Sequence, residues 1–328
     1  MTTFTLGSVT LYPYGLAVGL SGLLALLLAA VTTRKAGLKG EALSWFALFA
    51  VPLCVLGARL LYCLFRFGWF SQQGAGWFFR FTSGGFVLYG ALAGGFLAAW
   101  LASKAAKCSF GKLIDALAAP SALMIALCRL AEGLAREGYG WSIDPIEIET
   151  AEDFLEVNPW YCFFPVAVYR EMYDQWYWAV FVLEAVIALV ICAVLLRKKS
   201  AFAGDKALQF LLMYAAMQAL CESLRQDSVL RWGFVRCSQI VSALVVAFVL
   251  VCYCAYLPKD AQRVKTIVWG WIGTLAGMLV IIAMEFGVEK KIVMIEWLPM
   301  GACYLVMGLA CLGLIWWVGR VRKKALPA

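Results

Sequence analysis

The chain has 328 residues, of which 64% are hydrophobic and only 15% are charged, and its mean hydropathy is +0.83. This composition excludes an ordinary soluble domain and predicts an integral membrane protein. The net charge of +8 does not indicate a nucleic-acid partner, because membrane proteins collect basic residues in their cytoplasmic loops and no nucleic-acid-binding motif is visible.

Nine apolar segments are each long enough to cross a bilayer, which takes about 20 helical residues. They lie near residues 11–31, 45–65, 86–102, 113–130, 176–196, 207–224, 240–256, 267–284 and 298–318. The N-terminal stretch lacks the basic segment that opens a signal peptide, so its apolar run is expected to be the first span. The sequence therefore predicts an all-α, polytopic membrane protein with about nine transmembrane helices.

Basic clusters beside the span ends predict the orientation. They follow the first, third, fifth, seventh and ninth spans, from Arg34 and Lys35 after the first to Arg322 and Lys323 after the last. The positive-inside rule then predicts an N-terminus outside and a C-terminus inside the cell. Residues 136–175, between spans four and five, are expected to form a small extracytoplasmic head whose aromatic cluster WYCFFPVAVY rests on the outer leaflet.

Charged residues that the inner loops do not explain gather toward the outer ends of the spans. Arg129, Glu132 and Arg136, at positions i, i+3 and i+7, form one helical stripe at the end of the fourth span. Glu222 and Arg225 form a second stripe at the end of the sixth span. Two such stripes could converge on one anionic group, such as the phosphate of an outer-leaflet phospholipid, which arginine binds through paired donors.

A structural interpretation stands beside this functional one. Glu132 with Arg136, and Glu222 with Arg225, could be salt bridges that join helices, while Arg59 of the second span extends to the interface. Ionisable groups inside a membrane are rare and mark functional sites by default, which favours a pocket.

Five short motifs, in order along the first seven spans, carry residues of special interest. FTLGSVTLYPYGL contains Tyr14 and Gly15, GARLLYCLF contains Arg59 and Tyr62, and SGGFVLYGALAGG contains Tyr89. RLAEGLAREGYG contains Arg129, Glu132, Glu137 and Gly140, and QALCESLRQDSVLRWGFVRCSQIVS contains Gln218, Glu222, Arg225, Gln239 and Ser242. Each motif alone is weak, and the specificity lies in their order and their placement on the spans.

Together these motifs, over residues 4–256, resemble those of the prolipoprotein diacylglyceryl transferase family. Where the family pattern has histidine, asparagine and arginine, this chain has Tyr89, Glu132 and Gln218. A family Leu-Tyr-Glu motif resembles the segment that ends in Glu184. The last two spans have no counterpart in the family's seven-span core.

The resemblance implies an enzyme that moves the diacylglyceryl group of phosphatidylglycerol to the lipobox cysteine of prolipoproteins, forming a thioether and releasing glycerol phosphate. It implies a bacterial cytoplasmic membrane protein with its site toward the outer leaflet. The expected partners are phosphatidylglycerol, prolipoprotein signal peptides and membrane lipids, without nucleic acid. Neither a cofactor nor a metal is expected, since the chain has no histidine and no Cys-x-x-Cys pair.

The resemblance also suggests roles for individual residues. The expected catalytic residues are Tyr89, Arg129, Glu132 and Glu137, and the expected substrate-binding residues are Tyr14, Arg59, Gly140, Gln218, Glu222, Arg225 and Gln239. Arg129 would bind the lipid phosphate, helped by Arg59 or Arg225, with Glu222 fixing Arg225 in place. Tyr89, Glu132 and Glu137 are the candidates for accepting the thiol proton. If Glu132 pairs with Arg136 the pocket stays positive, and if it pairs with Arg129 it does not.

Two domains are expected: a seven-span core over residues 1–256, and two additional spans with a basic cytoplasmic tail over residues 257–328. The additional spans carry few polar residues, chiefly Glu285 and Glu289, which favours a packing or accessory role. The alternative function is a non-catalytic or altered-acceptor phospholipid-binding membrane protein of the same fold. A transporter is less favoured, because transporter charges lie at the bilayer midplane.

Overall fold

The computed structural model describes residues 4–6, 9–81, 84–143, 161–226, 230–232, 235–289 and 298–325. The acidic part of the predicted head and the beginning of its aromatic cluster, residues 144–160, lie outside this range.

The described part of the chain contains ten α-helices, nine of them at least 18 residues long. They are α1 (Pro13–Lys35), α2 (Gly40–Phe65), the short α3 (Phe67–Gln73), α4 (Leu88–Ala105), α5 (Phe110–Ala135), α6 (Val180–Arg197), α7 (Asp205–Leu224), α8 (Cys237–Ala255), α9 (Arg263–Val288) and α10 (Met300–Ala325). The nine long helices lie at the nine predicted spans. Eight of them are long and apolar enough to cross a membrane, which confirms an all-α, polytopic membrane fold. The ninth, α4, is rich in glycine and alanine, and the count of nine spans and the orientation remain predictions.

Three short antiparallel strand pairs lie beside the helices. They are β1 (Phe4–Leu6) with β2 (Val9–Leu11), β3 (Ala167–Arg170) with β4 (Gln175–Trp178), and β5 (Arg231–Trp232) with β6 (Val235–Arg236). The β3–β4 hairpin begins in the predicted head, residues 136–175, and extends three residues beyond it to Trp178. Its side of the molecule is called the head side below. The fifth span was predicted to begin at residue 176, but α6 begins only at Val180 because the preceding residues pair as β4.

Helix α5 lies at the centre of the bundle. Its alanine-rich face, from Ala118 to Ala126, packs against α6 and α7 in one buried cluster that includes Ala188 and Phe210. Small side chains let helix backbones approach closely, which is a common basis for helix association in membranes. The C-terminal end of α5, which carries Arg129, is thereby brought beside the head-side ends of α6 and α7.

Helices α9 and α10 pack on the outside of α7 and α8. Val318 and Val321 of α10 share a buried cluster with Val249 and Tyr253 of α8. A second cluster joins Met307 and further α10 residues to α7 and α9. The two additional helices are therefore continuous with the apolar interior of the bundle, and the proposed division at residue 256 remains a prediction.

Candidate functional site

Four charged side chains from three helices meet at the head side of the bundle. Arg129 of α5 places Nη1 2.5 Å from Glu132 Oε1 and Nε 2.9 Å from Glu184 Oε2 of α6. Arg225, which follows the last residue of α7, places Nη1 3.0 Å from Glu132 Oε2 and 3.2 Å from Glu184 Oε2. Each carboxylate therefore bridges both arginines, and the four residues are called the charge cluster below.

The charge cluster is buried and its formal charges sum to zero, two positive and two negative. Its side chains retain between 3% and 14% of their solvent exposure, with Glu184 the least exposed. At such depth an unpaired charge is costly, so the four groups depend on one another. Of the two alternatives open to Glu132, the structure has the pairing with Arg129. Arg136 lies exposed just beyond the helix in a left-handed conformation, with φ 59°.

A line of uncharged groups extends the charge cluster along α7. Arg129 Nη2 donates to the Tyr214 hydroxyl at 3.4 Å, and that hydroxyl donates to Gln218 Oε1 at 2.8 Å. Gln218 Nε2 donates to Glu222 Oε2 at 3.4 Å. Gln218, which stands where the family pattern has arginine, thus connects the charge cluster to Glu222.

Tyr89 of α4 lies beside this line. Its hydroxyl is 2.5 Å from Ser242 Oγ of α8, and both residues are buried. Its ring meets the ring of Tyr214 edge to face, with centroids 6.4 Å apart. The Tyr89 hydroxyl is therefore engaged across the bundle, one ring away from Arg129.

Arg59 of α2 lies outside the charge cluster. It is fully buried, and its guanidinium donates to the backbone carbonyls of the connection between α3 and α4: those of Trp77 (2.8 Å), Phe78 (3.1 Å), Arg80 (3.1 Å), Gly84 and Gly85 (3.2 Å). It also lies 4.6 Å from the centroid of the Trp77 ring. These contacts of Arg59 stabilise the connection between α3 and α4. The side chain is buried against the backbone and does not extend to the membrane interface.

The remaining predicted residues surround the charge cluster. Gly140 is buried, forms an isolated β-bridge with Arg225 and donates its N–H to the Trp178 carbonyl at 2.8 Å. A Cβ atom at Gly140 would lie 2.7 Å from Val180 Cγ2, so the close approach requires glycine. Tyr14, in the first turn of α1, is 36% exposed and near enough to Arg129 to interact with it electrostatically.

Glu137 is the most exposed of the expected catalytic residues. It lies two residues after the end of α5, and its backbone N–H donates to the Glu132 carbonyl at 3.0 Å. The structure therefore brings Arg129, Glu132 and Arg225 into direct contact and places Glu137 at the edge.

A second polar cluster lies at the end of α7, where α8 and α9 meet it. Gln239 of α8 donates to Ser223 Oγ at 3.0 Å and to Glu285 Oε2 of α9 at 3.1 Å. Arg236 Nε lies 3.5 Å from Glu285 Oε1. Burial lowers the pKa of the Arg236 guanidinium below its ordinary value, and the neighbouring Glu285 carboxylate acts against this shift.

Five residues of the charge cluster, the line along α7 and the second polar cluster were absent from the predicted site: Glu184, Tyr214, Ser223, Arg236 and Glu285. Glu184 and Glu285 carried a usable signal, since each is an acid in an otherwise apolar span. Tyr214 lies one turn before Gln218, at i and i+4, on the same face of α7. Arg236, the last residue of β6, offered no signal of its own.

The comparisons with known proteins decide the family. The profile of the prolipoprotein diacylglyceryl transferase family matches residues 1–255. The chain belongs to this family. The match confirms the relationship predicted from the motifs, to a bacterial family of transferases in lipoprotein biosynthesis, and it ends before α9 begins.

Similar curated proteins are named phosphatidylglycerol–prolipoprotein diacylglyceryl transferases. That of Oceanobacillus iheyensis is 28% identical over 79% of this chain and 88% of its own. That of Bacillus licheniformis is 28% identical over 79% of this chain and 94% of its own. That of Listeria innocua is 27% identical over 74% of this chain and 84% of its own.

Proposed function

We propose that this protein transfers the diacylglyceryl group of phosphatidylglycerol to the lipobox cysteine thiol of prolipoproteins. The bond between the diacylated glycerol carbon and the phosphate oxygen breaks, and that carbon forms a thioether with the cysteine sulfur. The phosphate leaves with the other glycerol, as glycerol phosphate. The observation that carries the proposal is the placement of Arg129 and Arg225, which face one carboxylate group from two helices. Family membership supplies the reaction class.

Glu132 occupies the place proposed for the lipid phosphate. Its two oxygens contact one arginine each, at 2.5 Å and 3.0 Å, and a phosphate offers two anionic oxygens with a similar span. An entering phosphate displaces the Glu132 carboxylate, while Glu184 stays on both guanidinium groups and keeps them oriented. The arginines then stabilise the negative charge that grows on the departing phosphate.

The displaced Glu132 carboxylate is the proposed acceptor of the thiol proton. Once it no longer contacts the two arginines, its oxygens can accept the proton of the thiol. The thiolate then attacks the glycerol carbon as the phosphate leaves. Tyr89 suits this role less well, because its hydroxyl is engaged with Ser242.

The proposed setting follows from the membrane fold and the family. The eight apolar helices support a multi-pass protein, and the basic clusters support a site that faces the outer leaflet of a bacterial cytoplasmic membrane. Phosphatidylglycerol would enter from that leaflet, and the signal peptide of a prolipoprotein would bring the acceptor cysteine to the same level.

The test is transfer of labelled diacylglyceryl from phosphatidylglycerol to a lipobox peptide by the purified full chain in lipid nanodiscs. We expect a thioether product from the wild type, a loss of about 100-fold or more in Arg129→Ala, and no product from a peptide with serine in place of the cysteine. Arg197→Ala is the matched control, since Arg197 is exposed at the opposite end of α6. Equal rates in Arg129→Ala and the wild type would contradict the proposal.

The alternative function, phospholipid binding without transfer, is favoured by one observation, the zero formal charge of the cluster. The same experiment separates the two. Nanodiscs in which the wild type binds phosphatidylglycerol in an Arg129-dependent manner, yet forms no thioether, would establish the alternative.

A further inference from the structure

Helices α9 and α10 lie beyond the part of the chain that matches the family, yet they contact the end of α7 next to the charge cluster. Glu285 of α9 accepts hydrogen bonds from Gln239 and from Ser223 Oγ. Tyr304 of α10 donates to the Ser223 carbonyl at 3.3 Å. The two helices therefore both contact Ser223, which lies two residues before Arg225.

Arg236 caps α7 at this point. Its Nη1 donates to the Glu222 carbonyl and, at 2.7 Å, to the Arg225 carbonyl, and its Nη2 lies 3.4 Å from the Ser223 carbonyl. The last carbonyls of a helix have no partner within the helix, and a cation there also complements the helix dipole. Arg236 thus fixes the backbone from which the Arg225 side chain extends.

Arg236 in turn depends on Glu285. The guanidinium is 1% exposed, and Glu285 Oε1 lies 3.5 Å from its Nε. A buried guanidinium that loses a facing carboxylate is strongly disfavoured. Without Glu285, Arg236 would be drawn toward other acceptors or water and would leave the carbonyls of α7.

We propose that Glu285 is a positioning residue for Arg225. Glu285 fixes Arg236, Arg236 caps the end of α7, and the cap orients Arg225 toward Glu132 and Glu184. The two additional helices thereby supply a contact, that of Glu285 with Arg236, which residues 1–256 do not contain. The effect on transfer rests on the proposed function, whereas the effect on the backbone of α7 does not.

The chain offers a matched comparison at the other end of the same helix. Arg322 of α10 forms two contacts of 2.6 Å with Asp205, the first residue of α7, and Asp205 is fully buried. This pair also ties the additional helices to α7, but it lies about 30 Å from Arg225 along a helix that rises 1.5 Å per residue. It separates general docking of the helices from positioning of Arg225.

The experiment compares Glu285→Gln with Arg322→Gln in the full chain, by hydrogen exchange of the backbone amides of residues 222–226 and by transfer kinetics. In Glu285→Gln we expect at least about tenfold faster exchange at these amides, since a charge-assisted contact is lost, and a lower kcat at a nearly unchanged peptide KM. In Arg322→Gln both quantities should stay at the wild-type value. Glu285→Asp, which keeps the charge, should recover part of the protection.

The outcomes are distinct. Equal exchange at residues 222–226 in the wild type and Glu285→Gln would overturn the proposal, as would equally raised exchange in both variants. If the wild type forms no thioether, the proposed function fails while the exchange comparison still decides the positioning role. If Glu285→Gln does not fold, the same comparison is made with Glu285→Asp, where unchanged exchange together with an unchanged kcat would overturn it.

Discussion

Glu132 Oε1 lies 2.5 Å from Nη1 of Arg129, one turn earlier on the same helix. The other Glu132 oxygen contacts Arg225, which lies at the end of a different helix, α7. A carboxylate that the family pattern does not contain therefore occupies the space between two arginines. The chain carries its own anion in the place where we propose that the substrate's anion binds.

Replacing this anion should change binding and catalysis in opposite directions. Glu132→Gln keeps the shape of the side chain but leaves the charge cluster with a net positive charge, so we expect the KM for phosphatidylglycerol to fall. We expect kcat to fall by about 100-fold or more, because a general base typically contributes that much. Initial rates in nanodiscs of increasing phosphatidylglycerol content measure both constants.

The control for this prediction is Glu41→Gln, since Glu41 is exposed in the first turn of α2, and it should leave both constants unchanged. A Glu132→Gln variant with undiminished kcat would remove Glu132 as the proton acceptor and turn attention to Glu137.

Tyr89 and Ser242 should stabilise the bundle as a pair. Tyr89→Phe leaves the buried Ser242 hydroxyl without the partner that lies 2.5 Å away, which we expect to lower the free energy of unfolding by about 1–3 kcal/mol. The double variant Tyr89→Phe/Ser242→Ala should lose less than the sum of the single variants, because both polar groups are then removed together. Thermal unfolding of the four proteins in one detergent completes the cycle.

The same variant tests the role of Tyr89 in transfer. We expect Tyr89→Phe to reduce the rate by much less than the roughly 100-fold that loss of a general base causes. A larger loss in a variant that unfolds near the wild-type temperature would transfer the proton-accepting role to Tyr89.

Much of the fold could be predicted from the sequence, because each membrane-spanning helix corresponds to a continuous run of apolar residues. The nine long helices lie where these runs lie. The predicted start of α6 was wrong because the aromatic residues Trp176, Tyr177 and Trp178 continue the apolar run of the span. In the structure they pair with β3 as a strand. Hydropathy alone does not distinguish the two.

The site was harder to predict, because its contacts depend on irregular backbone and on distant parts of the chain. Helical spacing correctly placed Arg129 and Glu132 on one face. The partner of Glu132 depended on where α5 ends, and the left-handed turn at Arg136 carries that arginine away from the helix. The contact of Glu285 with Ser223 joins residues 62 positions apart, which no local pattern records.

We expect Arg59 to stabilise the protein through the hydrogen bonds of its guanidinium group and not only through its positive charge. Arg59→Lys keeps the positive charge, but lysine has three donors on one atom and cannot reach the five carbonyls that the guanidinium contacts. We expect a loss of about 3 kcal/mol or more in the free energy of unfolding. Faster limited proteolysis near Trp77 should accompany it.

The matched control is Arg66→Lys, about two turns later and directly after the last residue of α2. Arg66 contacts the Tyr62 hydroxyl at 3.2 Å and is only partly buried, so its replacement should cost less than about 1 kcal/mol. Equal stability of the two lysine variants would show that the carbonyl contacts of Arg59 contribute little.

The close packing of α2 against α4 gives a prediction about two neighbouring glycines. A Cβ atom at Gly94 would overlap the Leu53 carbonyl and lie 2.9 Å from Cys54 Cα, whereas a Cβ atom at Gly95 would meet only Cys54 Sγ at 3.5 Å. Gly94→Ala must therefore push the two backbones apart, and we expect it to cost about 1–3 kcal/mol. Gly95→Ala introduces the same methyl group one residue later and should be neutral or slightly stabilising, since alanine favours the helix. Thermal unfolding of the two variants under identical conditions measures the difference, and equal midpoints would mean that α2 and α4 do not approach as closely as the structure has them.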